Sequence, residues 1–305
     1  MRAVRFEKFG GPEVLDLKDV PDPHPRPSEV RIRITAAGLN PMDWKMISMP
    51  ELTQRWGLSL PAGFGYDFAG VIDEVGAGVD GFAVGDRVYG GAMARAVADY
   101  AVVNLAEGTL FHTPDGISDE IASTLAVAGT SADAALATIG VKAGDTVLIG
   151  GAAGGVGVFA VQLASLAGAR VIGTCSQGTF EFLRGLGAEP VTYGDGLAAR
   201  VLELVPDGVD AATDLVGTET IEAALELGVV PERISAIAAG MTPPGGARAT
   251  GGAQATPGAL DRIARLILDG KLTVPIEATF PVSRIRDAVA LQWGGHVHGK
   301  VVVTL

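Results

Sequence analysis

Residues 146–157 read Thr146-Val-Leu-Ile-Gly-Gly-Ala-Ala-Gly-Gly-Val-Gly157, and this stretch decides the fold. Residues suited to a buried strand run into a glycine turn, and Val156 to Ala167 follows with an apolar stripe at helical spacing. Ala152, Gly154 and Gly157 stand at the three glycine positions of the dinucleotide-binding fingerprint, with Ala in place of the first Gly. Gly154 lets a pyrophosphate approach the backbone, and Gly157 lets the helix start lie close against the strand. The backbone of Ala153, Gly154, Gly155, Val156 and Gly157 is therefore expected to face an anion, with the positive end of the helix dipole behind it. The competing reading is a glycine turn that serves helix–sheet packing alone.

Working outward, strand-like and helix-like segments alternate. Strand Thr146 to Ile149 and its helix are followed by strand Arg170 to Thr174, helix Phe180 to Leu186, strand Pro190 to Tyr193 and helix Leu197 to Val205. Strand Val209 to Val216, helix Glu219 to Leu227 and strand Arg233 to Ala238 complete the series. Such alternation predicts an α/β unit: a doubly wound parallel sheet with right-handed crossovers and helices on both faces. The second strand ends at Thr174-Cys-Ser-Gln177, where an Asp or Glu would grip an unphosphorylated ribose. This chain has neither there. Ser176 can instead donate to a 2′-phosphate, which favours NADPH over NADH. Arg184, in the next helix, either adds charge at that point or is a solvated surface residue. Cys175 reads as a small core residue, since no base stands near it in sequence.

Upstream the texture is different. Val30 to Ala36 alternates apolar and polar residues, and Phe68 to Val75, Asp86 to Tyr89 and Tyr100 to Val103 are short β-prone runs with glycine punctuation. They predict a barrel-like or antiparallel, β-rich unit. Ser118 can cap a helix over Ile121 to Leu125, and an Ala-rich helix is expected from Ser131 to Ile139. Downstream, Gly240 to Gly258 reads as loop, Leu260 to Leu268 as helix, and the end from Val282 as a helix and a last strand, Lys300 to Thr304.

The chain has 305 residues, 48% of them hydrophobic and 19% charged, enough for two domains with large cores. Its 23 basic residues against 35 acidic ones, a net charge of −12, argue against nucleic-acid binding, which relies on basic surface. The single cysteine excludes an intramolecular disulfide and any site needing two Cys ligands from one chain. The opening residues lack an apolar signal core, and no apolar run reaches the ~18 residues of a spanning helix. A cytoplasmic protein without membrane contact is expected.

Several motifs carry a resemblance over nearly the whole chain. They are the opening MRAVRFEKFGGPEVL, Ala37-Gly-Leu-Asn-Pro-Met-Asp43, Gly65-Tyr-Asp-Phe-Ala-Gly70, Val84-Gly-Asp-Arg-Val88, the loop Ala152 to Gly157, and Gly299-Lys-Val-Val302. Together they resemble the medium-chain dehydrogenase/reductase superfamily, specifically its zinc-independent quinone oxidoreductase branch, which includes zeta-crystallin-like proteins. The resemblance implies a GroES-like substrate domain (residues 1–114, completed by 280–305) beside a Rossmann domain (115–279), with the nicotinamide in the cleft between them. It implies hydride transfer from NADPH to a quinone or to the C=C bond of an activated enone. Alternatives are an enoyl-type reductase of a biosynthetic pathway and a non-catalytic NADPH-binding sensor or structural protein. A homodimer is implied by analogy.

The same resemblance implies site residues. Asn40 is placed beside the nicotinamide, where its amide could donate to a carbonyl or could merely stabilise the turn before Pro41. Tyr66 could donate a phenol proton or form an aromatic wall. Asp43 orients its neighbours or caps the helical turn that follows. Ser131 matches a hydroxyl near the nicotinamide and phosphates, or is only a helix cap. Tyr193 flanks the adenosine phosphate or packs at a strand end. Val216 and Ala238, on later strand ends, are implied backbone contacts on the nicotinamide side. Zinc-dependent relatives supply Cys and His where this chain has Asn40 and Tyr66, neither a usual zinc ligand, and Leu125 to Ala128 offers no third donor. No metal is expected. Of the histidines, the His296 and His298 pair reads as surface. Gly178 stands where many relatives have Arg, which weakens the NADPH preference, and Asp133 replaces a common aromatic residue. That change, with the short loop Gly90 to Ala98, reshapes the substrate pocket.

Overall fold

The computed structural model describes all 305 residues. Strands β1 (Arg2–Phe6) and β2 (Asp16–Asp19) pair antiparallel. In β3 (Glu29–Leu39) the alternation read from the sequence is used directly. Val30, Ile32 and Ile34 enter a core with Phe68, Ile72 and Val88, while Arg33 is exposed on the other face. From Ala36 to Leu39 both faces are buried. Two helices follow, α1 (Pro41–Ser48) and α2 (Pro50–Arg55), where the sequence suggested only a helical turn. Each starts with Pro at its first position, whose fixed φ and missing N–H suit a helix start. Strand β4 (Ala62–Gly63) joins β1, and β5 (Asp67–Val75), β6 (Arg87–Gly91), β7 (Tyr100–Asn104) and β8 (Leu110–His112) follow. Ser118 caps α3 (Asp119–Ala122), its Oγ accepting from Ile121 N at 3.3 Å.

The next helix, α4 (Leu125–Thr138), begins well before Ser131. Gly129 lies inside it, where Leu260 and Ile263 close over the glycine and packing outweighs its low helix propensity. Ser131 is thus interior to a helix and is not its cap.

Beyond α4 the alternation becomes β9 (Thr146–Gly150), α5 (Gly157–Leu166), β10 (Arg170–Cys175), α6 (Phe180–Gly185), β11 (Glu189–Thr192), α7 (Leu197–Leu204), β12 (Ala211–Asp214), α8 (Glu219–Glu226), β13 (Ile234–Ala236) and β14 (Arg248–Ala249). All sheet pairings here are parallel, in the order β11-β10-β9-β12-β13-β14. The sheet starts in its middle, at β9, and builds outward in both directions, so a topological switch falls between β9 and β12. Val147, Leu148 and Ile149 are fully buried, as expected of a strand covered by helices on both faces. The expected strands Val209–Val216 and Arg233–Ala238 are shorter than read. Their last residues leave the sheet as turns, where Val216 is exposed.

After α9 (Ala259–Leu268) comes β15 (Ile276–Pro281), which the sequence reading missed. It is a half-exposed edge strand ending in Pro, a pattern that also suits a loop. Then α10 (Ile285–Trp293) and β16 (Lys300–Thr304) close the chain. The mixed sheet runs β15-β16-β3-β5-β6-β8, with β7 on β3. The chain divides into Met1–Val127 with Ile276–Leu305, and Ala128–Pro275. These divisions differ from those at 114 and 279 because α3 and the start of α4 pack with β3 and β5, and β15 pairs with β16. No helix is long and apolar enough to cross a membrane.

Candidate functional site

In the α/β unit, β9 ends in a turn at Gly151, which has φ of +67°. Thr174 of β10 steadies this turn: its Oγ1 accepts from Gly151 N at 3.0 Å and its carbonyl from Ala152 N at 3.3 Å. Gly157 opens α5 so close to the loop that a Cβ would lie 2.2 Å from Gly151 O and 2.4 Å from Ala152 O. Only glycine fits that approach. Gly154 donates to Gly151 O, and Val158 to Gly154 O. The amides of Ala153, Gly155, Val156 and Gly157 donate to no acceptor in the chain, and α5 has no side-chain cap. Buried helix starts without partners are rare, so a run of free amides here is suited to an anion.

The other candidates of this unit lie at its strand ends. Ser176 follows β10, its Oγ 2.8 Å from Thr179 Oγ1. Tyr193 follows β11 and is half exposed, in a turn held by Arg200, which donates to the carbonyls of Thr192, Gly194 and Asp195. Val216 and Ala238 follow β12 and β13. Asp214, missed in the sequence, is buried at the end of β12, where its carboxylate accepts from the amides of Val216, Gly217 and Thr220 at 2.7–2.9 Å. Ser131 is nearly buried within α4, and its hydroxyl makes no hydrogen bond in the chain. Asp133 is committed: its carboxylate takes Thr256 N, Thr256 Oγ1 and Arg262 Nη2. Arg184 pairs with Glu181 and lies over the Phe180 ring. Burial pushes the Cys175 thiol up to about 11, consistent with a core residue.

In the β-rich unit, Asn40 precedes α1 and Asp43 reaches back from its first turn, Oδ2 accepting Asn40 N at 2.7 Å. The Asn40 side chain is already satisfied within the chain. Its Nδ2 donates to Asp67 Oδ2 at 2.9 Å, and its Oδ1 accepts from Lys300 Nζ at 2.6 Å. Lys300 also donates to Leu39 O at 3.1 Å, and Asp67 accepts from Val127 N. The antiparallel pairing of β16 with β3 brings Lys300 to this point. All four side chains, of Asn40, Asp43, Asp67 and Lys300, are buried. Burial pushes the Asp43 carboxyl up to about 7, helped by the charge of Asp67 and opposed by the Asn40 amide. Burial likewise raises Asp67 to about 6 against the pull of Lys300, whose own ammonium burial pushes down. The second hydrogen of Nδ2 reaches Gly38 O only at 3.5 Å, so both side-chain hydrogens of Asn40 face acceptors of the chain, one closely and one loosely, and Asp43 acts as a helix cap.

Tyr66 stands out by contrast. Its half-buried ring lies on Gly91, and its hydroxyl makes no hydrogen bond in the chain. Burial and the charges of Asp67 and Glu107 hold the phenol above its usual range, so it stays protonated. Lys300 and Asp67 lie within Gly299–Val302 and Gly65–Gly70, motifs that carry the family resemblance. Charged residues inside apolar strands were the available signal.

Comparisons with known proteins bear on the family and the fold. Residues 26–116 match the alcohol dehydrogenase GroES-like domain, and residues 155–248 match a family described as zinc-binding dehydrogenase. A quinone oxidoreductase from Pseudomonas aeruginosa is 39% identical over 236 residues, 74% of this chain and 69% of that protein. A chloroplastic NADPH-dependent alkenal/one oxidoreductase from Arabidopsis thaliana is 30% identical over 99% of this chain and 79% of its own length. The solved quinone oxidoreductase of Coxiella burnetii superposes with a TM-score of 0.89 at 32% identity, over 100% of this chain and 99% of that one. The Asn40 oxygen faces an ammonium 2.6 Å away, and no cluster of three His, Cys, Asp or Glu side chains is disposed to hold a metal.

Proposed function

The chain belongs to the medium-chain dehydrogenase/reductase superfamily, in its quinone oxidoreductase branch, and from that premise we propose that it is a zinc-independent, NADPH-preferring reductase of quinones or α,β-unsaturated carbonyls. It is an oxidoreductase with a Rossmann-type unit and a GroES-like unit. The observation that carries the finer reading is the run of free amides at Ala153, Gly155, Val156 and Gly157, a cradle for a diphosphate.

When bound, NADPH supplies a hydride; everything else is the work of the chain. The loop amides take the diphosphate charge. Ser176 and Tyr193 would flank the phosphorylated adenosine, and the hydroxyl of Ser131 with the backbone at Val216 and Ala238 would serve the nicotinamide side. The Tyr66 phenol donates a hydrogen bond to the acceptor oxygen and stabilises charge as it develops there. Names of relatives support both substrate classes: one is a quinone oxidoreductase and another an NADPH-dependent alkenal/one oxidoreductase. The buried ammonium next to Asn40 supports metal independence. Metal analysis finding stoichiometric zinc in active protein would contradict that part. By family analogy the protein works as a homodimer, which sedimentation at micromolar concentration checks.

The decisive assay follows NADPH absorbance with a panel of simple quinones and enones. Steady oxidation dependent on an acceptor supports the reading. No oxidation with any acceptor, despite tight NADPH binding, would leave a cofactor-binding protein without turnover.

A further inference from the structure

The buried group in the β-rich unit has an order that the proposed chemistry does not use. An amide is asymmetric: its oxygen accepts and its nitrogen donates. In Asn40 the oxygen meets the Lys300 ammonium at 2.6 Å and the nitrogen meets the Asp67 carboxylate at 2.9 Å. Cation, amide dipole and anion therefore stand in series, each end matched to its neighbour. The amide is thus bonded to Lys300 at one end and to Asp67 at the other, and bridges them. Every member is nearly free of solvent, where such interactions are strong and a mismatched one is costly. The remaining carboxylate, Asp43, stands outside the series. Its Oδ2 takes the Asn40 amide hydrogen, but its Oδ1 is buried with no partner. That oxygen is the natural seat of the proton that balances two carboxyls against one ammonium.

We propose that Asn40 and Lys300 are positioning residues: the Asn40 amide bridges Lys300 to Asp67, and this bridge fixes the start of β5 and the adjoining Tyr66. The role of Tyr66 rests on the function proposed above; the bridge itself does not. Asp67 also accepts from Val127 N, so the bridge anchors the first turn of α4. The order of the series makes a specific demand. Asn40→Asp sets two carboxylates against each other. Asp67→Asn sets an amide NH₂ against the Val127 N–H or the Asn40 NH₂. The double exchange, Asn40→Asp with Asp67→Asn, restores the matches of the series and gives up only the long contact to Gly38 O: the new carboxylate accepts from Lys300, and the new amide donates to it while its oxygen accepts from Val127.

The test is a double-mutant cycle in the full chain, read by kcat with a simple quinone, NADPH affinity by fluorescence quenching, and thermal midpoint. Each single exchange is expected to lower kcat by about tenfold or more with NADPH affinity within about twofold, and the double exchange to recover most of that loss. A double exchange no better than the worse single one, or silent single exchanges, would overturn the bridge. If the wild type turns over no acceptor, the functional reading fails alone. The midpoints still report the bridge through the same fall and recovery, and no recovery there overturns it too.

Discussion

Gly91 lies beneath the ring of Tyr66 so closely that a Cβ on it would sit 2.1 Å from Tyr66 Cε1 and 2.7 Å from the phenol oxygen. The glycine is the seat on which the one free phenol of the β-rich site rests. Gly91→Ala should displace the ring and lower kcat/KM for a quinone by about tenfold or more, with NADPH affinity little changed. Tyr66→Phe keeps the ring and removes the hydroxyl, and should lower kcat by about tenfold to a hundredfold. Steady-state kinetics with quenching titrations separates the two effects. A Tyr66→Phe variant with unchanged kcat would remove the phenol from the reaction.

The two loop glycines should behave differently. At Gly157 a Cβ would strike backbone oxygens of Gly151 and Ala152. Gly157→Ala therefore disturbs the loop itself and should cost thermal stability, roughly 1–3 kcal/mol, as well as cofactor affinity. At Gly154 the only neighbour within 4 Å is Gly151 O, at 3.4 Å. Gly154→Ala should fold like the parent yet bind NADPH at least about tenfold more weakly, because the methyl occupies the approach of the diphosphate. Equal affinity for Gly154→Ala and the parent, by calorimetric titration, would count against a ligand at this turn.

Preference for NADPH over NADH should be modest. No unpaired cation stands at the end of β10: Arg184 is taken by Glu181, and Gly178 has open space around it. Gly178→Arg should fit without strain and raise the ratio of NADPH to NADH kcat/KM by about tenfold, since guanidinium groups pair well with phosphate. An unchanged ratio would mean that the 2′-phosphate lies elsewhere.

The buried carboxyls make stability depend on pH with a definite sign. Asp43 at about 7 and Asp67 at about 6 are raised above their unfolded values, so the folded chain holds protons that the unfolded chain releases. Their contribution is complete below the unfolded value and is lost as pH rises through the folded ones, a fall of a few kcal/mol between about pH 4 and about pH 7. Asp43→Asn mimics the neutral acid and should flatten this fall, gaining thermal midpoint over the parent at about pH 8. A parent and variant that run parallel across the range would show that Asp43 does not carry the proton. Asp145 has the opposite sign. Burial works against its charge, but hydrogen bonds from Lys142 and Arg233 hold it at about 2, so it contributes above the unfolded value and fails only as pH drops toward about 2.

The α/β unit was legible because its signals are local. A buried strand, a glycine turn and a helical stripe at Thr146–Leu166 occupy one continuous stretch, and the parallel alternation repeats the same grammar. The pieces that escaped depend on partners far along the chain. The α4 start required Leu260 and Ile263 over Gly129, and β15 required β16 beside it. Asn40 was singled out, but its commitment could not be read, because Lys300 reaches it only through the pairing of β16 with β3. Residue type announces what a side chain can do; only tertiary register says whether it is still free to do it.

The account stands on the diphosphate cradle, and a crystal structure of the NADPH complex tests it most directly. The expected result is diphosphate oxygens within hydrogen-bond distance of the amides of at least two of Ala153, Gly155, Val156 and Gly157, with Gly154 in van der Waals contact. A nucleotide ordered elsewhere on the chain, with those amides facing only solvent, would contradict it.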